Sequence, residues 1–174
     1  LKAVTFAAKK HEDQRRKGRR QLPYINHPLR VAEILWDIGG VRDVEILIAA
    51  VLHDTLEDTE TKPDELERAF GADVLRTVQE VSDDKSLPKA VRKQLQIDHA
   101  PHLSRAAKLI KLADKIHNVH EVSHEPPADW PRARVVAYID WADAVVAGLR
   151  GVSAPLETAY DAVSEKARRK LGSS

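Results

Sequence analysis

An all-α fold, with at most one short β-hairpin, is predicted for these 174 residues by three observations. Apolar residues recur at helical spacing in one segment after another. No segment alternates apolar and polar residues between turn signals. Pro, Gly and Asp fall where helices start and stop. The first segment, LKAVTFAAKKHED at 1–13, has the helical period and a polar end, and RRQLPYIN at 19–26 is the one place for a hairpin. HPLRVAEILWDIGG at 27–40 puts Pro28 at a helix start, where its missing N–H costs nothing, and Gly39-Gly40 at the stop. Asp43 is placed to cap one continuous helix, VEILIAAVLHDTLED at 44–58. Two short amphipathic helices, 62–71 and 72–82, meet at Gly71, and LPKAVRKQLQIDHA at 87–100 supplies a third. SRAAKLIKLADKIHNVHEV at 104–122 is apolar around most of its circumference. A loop, EPPADWP, then leads to helices at 132–151 and 154–172. The helices pack by their apolar faces into a single domain, expected over 1–174.

Composition narrows the function. Hydrophobic residues at 43% and charged ones at 32% are a soluble, globular balance, and a net charge of +1 excludes a general DNA or RNA binder. The absence of cysteine excludes disulfides, thiolate metal sites and thiol nucleophiles, and fits a cytoplasmic protein. No apolar run reaches membrane-spanning length, and the N-terminus lacks the apolar core of a secretory signal. The chain begins at Leu1 and contains no methionine, so its start is expected not to be the native one. Monomer and homodimer both remain open. The three tryptophans, Trp36, Trp130 and Trp141, are expected in the core.

Candidate chemistry begins with VLHDTLEDTE at 51–60. On a continuous helix, at about 100° per residue, His53, Asp54, Glu57 and Asp58 span about 140° of one face. Their carboxylates sit at a helix C-terminus, where the macrodipole disfavours negative charge. Either the acids are solvated or a cation sits among them. His27 precedes Pro28, which should push it out of helical geometry to a helix entry, as a capping histidine or as a ligand. Asp114, Asn118 and Glu121 form a polar strip on an otherwise apolar helix, and such a strip lines a cavity or faces water. Two imidazoles and two carboxylates (His27, His53, Asp54, Asp114) make a divalent-metal set without sulfur that suits manganese, iron or zinc. The chemistry this implies is metal-assisted hydrolysis, with Glu57 and Asp58 placed to orient or deprotonate the water. The cluster Arg15, Arg16, Lys17, Arg19, Arg20 reads as a phosphate-binding loop or as a solvated surface run.

The order H…HD…D resembles the HD-domain phosphohydrolases. RRKGRRQLPYINHP, VLHDTLEDT, VQEVSDDKSLPK and KLIKLADKIHN resemble the hydrolase domain of the RelA/SpoT alarmone enzymes, above all its small stand-alone members. The resemblance implies a compact multi-helix HD-type fold and manganese, or another divalent transition metal, on His27, His53, Asp54 and Asp114. It implies water activation by Glu57 and Asp58, and nucleotide contacts from Asn118, Arg16, Lys17 and Tyr24, with looser matches at Lys89, Arg134 and Tyr138. The implied reaction is removal of the 3′-pyrophosphate from the guanine-nucleotide alarmone (p)ppGpp. Because the chain stops one helix later, where long members continue into a synthetase domain, hydrolysis without synthesis is expected. Two departures stand out: Glu121, where long members have threonine, and the altered basic loop at Arg15–Arg20. Alternatives are another 2′- or 3′-phosphorylated nucleotide such as NADPH as substrate, or a non-catalytic nucleotide-binding module.

Overall fold

The order of elements in the computed structural model is helix after helix. They are α1 (Lys2–Lys10), α2 (Asn26–Asp37), α3 (Val44–Leu52), α4 (Thr55–Asp58), α5 (Pro63–Phe70), α6 (Ala72–Val81), α7 (Lys89–His99), α8 (Arg105–His124), α9 (Arg132–Leu149) and α10 (Ala154–Gly172). The structure describes residues 1–172, so the last two positions of the expected domain lie outside it. Among the described residues there is no strand. The hairpin near 19–26 reduces to an isolated antiparallel bridge between Arg15 and Pro23. No helix is long and apolar enough to cross a membrane.

Two local expectations are corrected. The segment 44–58 is not one helix, because it breaks at His53 and Asp54 into α3 and the short α4. His27 is not pushed out of the helix. Helix α2 begins one residue earlier, at Asn26, and His27 donates its backbone N–H to Tyr24 O at 2.9 Å. Pro28 still falls in the first turn, where no intrahelical partner is lost, so the steric bias against its predecessor is overridden. The Asp43 cap forms as expected, accepting from Glu45 N–H at 2.9 Å. Gly40 at φ 62 ends α2 in the left-handed region that glycine tolerates.

Helix α8 is the axis of the molecule. Helices α2, α3, α6, α9 and α10 all pack on it, and its buried side chains include Leu109, Ile110, Leu112, Ala113, Ile116 and Val119. Gly148 lets α9 approach the turn at Ala100–His102: a Cβ there would lie 2.8 Å from Ala100 Cβ. Helix α10 is tied to α9 through Asp143, whose carboxylate accepts from Tyr160 Oη at 2.6 Å and Ser164 Oγ at 2.9 Å. The expectation of core tryptophans holds only in part. Trp36 is 46% exposed beneath the Arg42 guanidinium, while Trp130 and Trp141 pack on the core and line a cavity.

Candidate active site

Four side chains from three helices converge below the cavity floor. His27 comes from the first turn of α2, His53 and Asp54 from the break between α3 and α4, and Asp114 from the middle of α8. His27 Nε2 lies 3.1 Å from Asp114 Oδ1 and 3.5 Å from Asp54 Oδ2. His53 Nε2 lies 3.2 Å from Asp54 Oδ2 and 3.9 Å from Asp114 Oδ1. Ligand-type atoms of His27, His53 and Asp114 all fall within 4.8 Å of one another. Both imidazoles and Asp114 are buried.

The electrostatics show what this group lacks. Burial alone would push the His53 imidazole down, but the Asp54 and Asp114 carboxylates outweigh it and raise it to about 9. Burial would likewise raise Asp54, yet His53 and His27 hold its carboxyl below the usual range. Asp114 is held well below as well, against burial, first by Lys115 and then by His27. Burial pushes the His27 imidazole down. Two carboxylates thus stay ionised in the interior, and His53 Nε2, despite its closeness to Asp54, is buried with no hydrogen-bond partner. His53 Nδ1 is 2.7 Å from Ala50 O, and a carbonyl only accepts, so Nδ1 carries a proton, and a cation that displaced the second proton would meet the lone pair of Nε2. Two ionised carboxylates that hold a buried imidazole in its charged form are the chemistry of a cation site, and the donor set fits a divalent ion.

The surrounding partners were only partly foreseen. Tyr24 Oη is 2.8 Å from Asp54 Oδ2 and 3.2 Å from Asp58 Oδ2, joining the two acids. Asp114 accepts from Lys115 Nζ at 2.9 Å and from Asn118 Nδ2 at 2.6 Å. His27 Nδ1 meets His117 Nδ1 at 2.7 Å, and the rings stack with centroids 5.0 Å apart. Burial, and then His27, lowers His117 to about 4, so it is neutral near pH 7 and has one ring nitrogen free to accept a proton from its partner. Sequence reasoning missed His117, although it lies inside the quoted KLIKLADKIHN. It also missed Lys85, whose ammonium bridges Glu57 Oε1 at 3.0 Å and Asp58 Oδ1 at 2.7 Å. Glu57 Oε2 accepts the Asp83 N–H at 3.0 Å. Burial raises the Glu57 carboxyl above the usual range, with the Asp83 charge adding to it, against hydrogen bonds from Asp83 N–H and Lys85. Both missed groups lie in charged stretches that offered many equally good candidates.

One cavity of about 1000 Å³ brings all the sequence-derived site residues together: Lys17, Tyr24, Lys89, Arg134 and Tyr138 line it alongside the groups already described. Arg16 donates to Asn118 Oδ1 at 2.8 Å and through Nε to Glu121 Oε2 at 2.9 Å, with its guanidinium 5.4 Å from the Tyr24 ring centre. Glu121, the departure from the long members, is therefore the partner of this arginine. Tyr138 sits between Trp130 and Trp141, with ring centres 5.7 and 5.3 Å away, and burial pushes its hydroxyl up to about 12. Arg134 covers Trp130 at 4.4 Å. Burial lowers Lys89, and the neighbouring cations Arg134, Lys17 and Arg92 lower it further. The basic loop divides: Arg16 turns inward, Arg20 pairs with Glu125 at the cavity mouth, and Arg19 does not line the cavity.

Comparison with known proteins agrees with this geometry. The HD-domain family pattern matches residues 3–139. A protein of Xenopus tropicalis named guanosine-3′,5′-bis(diphosphate) 3′-pyrophosphohydrolase MESH1 is 53% identical over 161 residues, covering 92% of this chain and 90% of that protein. Its namesake in Homo sapiens is 52% identical over 159 residues, covering 91% and 89%. Among solved structures, one described as a metazoan orthologue of SpoT that hydrolyses ppGpp superposes with a TM-score of 0.92 at 43% identity, covering 94% of this chain and 92% of the other.

Proposed function

Because the chain belongs to the HD-domain family and, within it, to the RelA/SpoT-type hydrolases, we propose that it removes the 3′-pyrophosphate of (p)ppGpp. The products are GDP or GTP and pyrophosphate. The observation that carries this reading is the convergence of His27, His53, Asp54 and Asp114 beside Glu57 and Asp58 on one cation-lined cavity. In this reading the first four hold a divalent cation, with manganese favoured by the mixed imidazole and carboxylate set. When bound, such an ion lowers the pKa of a water and polarises the phosphoryl group under attack.

The chain's own residues do the rest. Glu57, raised by burial, takes a proton from the water. Asp58 orients that water, itself braced by Lys85 and Tyr24. The water oxygen bonds to the phosphorus attached to the ribose 3′-oxygen, and that P–O bond breaks. Its electron pair stays on the 3′-oxygen, which takes up a proton, and pyrophosphate leaves carrying the water oxygen. Arg16 stacks on the purine, and its bonds to Asn118 and Glu121 set its plane before substrate arrives. Asn118 contacts the nucleotide, Lys17, Lys89 and Arg134 meet the remaining phosphates, and Tyr138 forms the wall they face.

The test uses metal-stripped protein with ppGpp, with and without manganese, and separates products by anion exchange. GDP and pyrophosphate appearing only with metal is the expected result. Intact ppGpp beside dephosphorylated NADPH would leave the site standing and overturn the substrate. No turnover with any divalent metal would favour a binding module.

A further inference from the structure

Lys111 takes no part in the mechanism above, yet its position is unusual. It lies on α8 one turn before Asp114, on the same face, and is only 9% exposed. Among the described residues its ammonium has no ion pair and no hydrogen bond. Burial pushes its ammonium down, and the nearby Lys115 adds to this. The acids that attract it from a distance are committed elsewhere. Asp83 accepts from Gln96 Nε2 at 2.7 Å, Asp114 from Lys115 at 2.9 Å, and Glu57 from Asp83 N–H at 3.0 Å. An ammonium on a largely buried side chain, open to a cavity but without a protein partner, is costly, and such groups are kept where a ligand supplies the missing charge.

The surroundings indicate where that ligand enters. Lys111 lines both the main cavity and a second one of about 190 Å³ behind it, as do Arg92, Gln96 and Asp83. Gln96 Oε1 is buried there without a partner, so an unpaired donor and an unpaired acceptor share the junction. Arg92 donates through Nε to Leu87 O at 3.2 Å, which leaves its Nη1 facing Glu57 and Asp83 at a loose 3.9 Å each. The Lys111 ammonium and the outer end of the Arg92 guanidinium therefore stand near Glu57, the proposed water-activating acid, in a wall that opens onto spare volume.

We propose that Lys111, with Arg92, forms the subsite for the outer phosphate of the substrate's 3′-diphosphate, and so selects a 3′-diphosphate over a 3′-monophosphate. This rests on the reading of the chain as a 3′-pyrophosphohydrolase. The inner phosphate must sit beside Asp114 and Glu57 to be attacked, and the outer one is a single anhydride bridge away. Lys111 is one helical turn from Asp114 and within electrostatic reach of Glu57. The carboxylates Asp83 and Glu57 would repel a phosphate there, and the two cations offset them.

The experiment compares wild type with Lys111→Met, with Lys111→Gln as a second variant should the first fail to fold. Each is assayed with manganese on ppGpp and on guanosine 5′-diphosphate 3′-monophosphate. Inorganic pyrophosphate binding and the thermal midpoint are also measured. The expected result is a loss of about 10- to 100-fold in kcat/KM on the diphosphate, the size of one charge-assisted hydrogen bond. The rate on the monophosphate should stay within about twofold, pyrophosphate should bind correspondingly more weakly, and the midpoint should not fall, since a buried unpaired charge has been removed. An unchanged preference for the diphosphate, or an equal loss on both substrates, overturns the subsite. If wild type leaves ppGpp intact, the parent reading fails instead. Pyrophosphate binding then decides the subsite: weakened in the variant supports it, and undiminished overturns it.

Discussion

Replacing His117 by phenylalanine should weaken metal binding without touching a ligand. The ring stacks on His27 with an interplanar angle of 21°, and phenylalanine keeps that contact while deleting the 2.7 Å hydrogen bond to His27 Nδ1. His27 is a ligand through Nε2 only if Nδ1 carries the proton, and His117, lowered to about 4, is the neutral acceptor that holds it there. A neutral hydrogen bond of this kind contributes about 0.5–1.5 kcal/mol, and outer-shell partners of metal-bound histidines are worth about 10- to 100-fold in affinity. The lower part of that range applies, because stacking still restrains the ring. We expect the manganese Kd of His117→Phe to rise about tenfold, or about 1.4 kcal/mol, as read from free manganese by electron paramagnetic resonance. Turnover at saturating manganese should stay close to wild type. Unchanged affinity with lost turnover would refute the reasoning, since it would put His117 on the substrate rather than behind a ligand.

Other outcomes follow from the same geometry. Glu57→Gln should keep manganese binding and lose about 10²- to 10⁴-fold in turnover; undiminished turnover removes Glu57 from the mechanism. Asp54→Ala should abolish metal-dependent activity with the helical circular dichroism largely unchanged, and wild-type rates there would sink the site assignment. Gly148→Ala should cost about 1–3 kcal/mol by overpacking, because its Cβ would meet Ala100 Cβ at 2.8 Å and Pro101 Cδ at 2.9 Å; urea unfolding measures it. Asp143→Asn should cost about 1 kcal/mol. Burial would raise that carboxyl, but bonds from Tyr160, Arg168 and Ser164 hold it below its usual value. Its stabilisation is therefore complete above the unfolded value, about 3.9, and is lost as pH falls through the lower folded one. The gap between wild type and variant in urea midpoints should be constant near neutrality and close only in acid.

The helices and the candidate ligand set were legible for different reasons. Helices follow from local period and caps such as Asp43 and Gly40, and the ligands from residue types that few other chemistries require together. The polar strip of Asp114, Asn118 and Glu121 could be read as cavity lining because Ile110 and Val122 flank it, and both are buried. Lys85, His117 and Lys111 could not be found this way. Lysine and histidine in a charged stretch are usually solvated, and only the three-dimensional neighbours distinguish these. Lys85 reaches Glu57 and Asp58 across 28 and 27 positions of the chain, and His117 reaches His27 across 90. The exposure of Trp36 was misread for the converse reason: a large apolar ring is presumed buried, and its stacking on Arg42 depends on how the chain leaves α2.

The misplaced helix boundary at His53 bears most directly on chemistry. Adjacent residues on a continuous helix diverge by about 100° around the axis, so an unbroken 44–58 would aim His53 and Asp54 in different directions. In the structure Asp54 leaves the helix at φ −95°, ψ −5°, and its Oδ2 comes within 3.2 Å of the imidazole of its own neighbour. Two side-chain bonds support the turn: His53 Nδ1 donates to Ala50 O, and Thr55 Oγ1 donates to Leu52 O at 2.6 Å. Carbonyls freed where α3 stops are thereby satisfied by the residues that flank Asp54. After the break α4 places Glu57 and Asp58, in its single turn, within reach of Lys85. A histidine-aspartate pair at the end of a buried helix is thus placed as a candidate ligand pair in the two-residue break between α3 and α4.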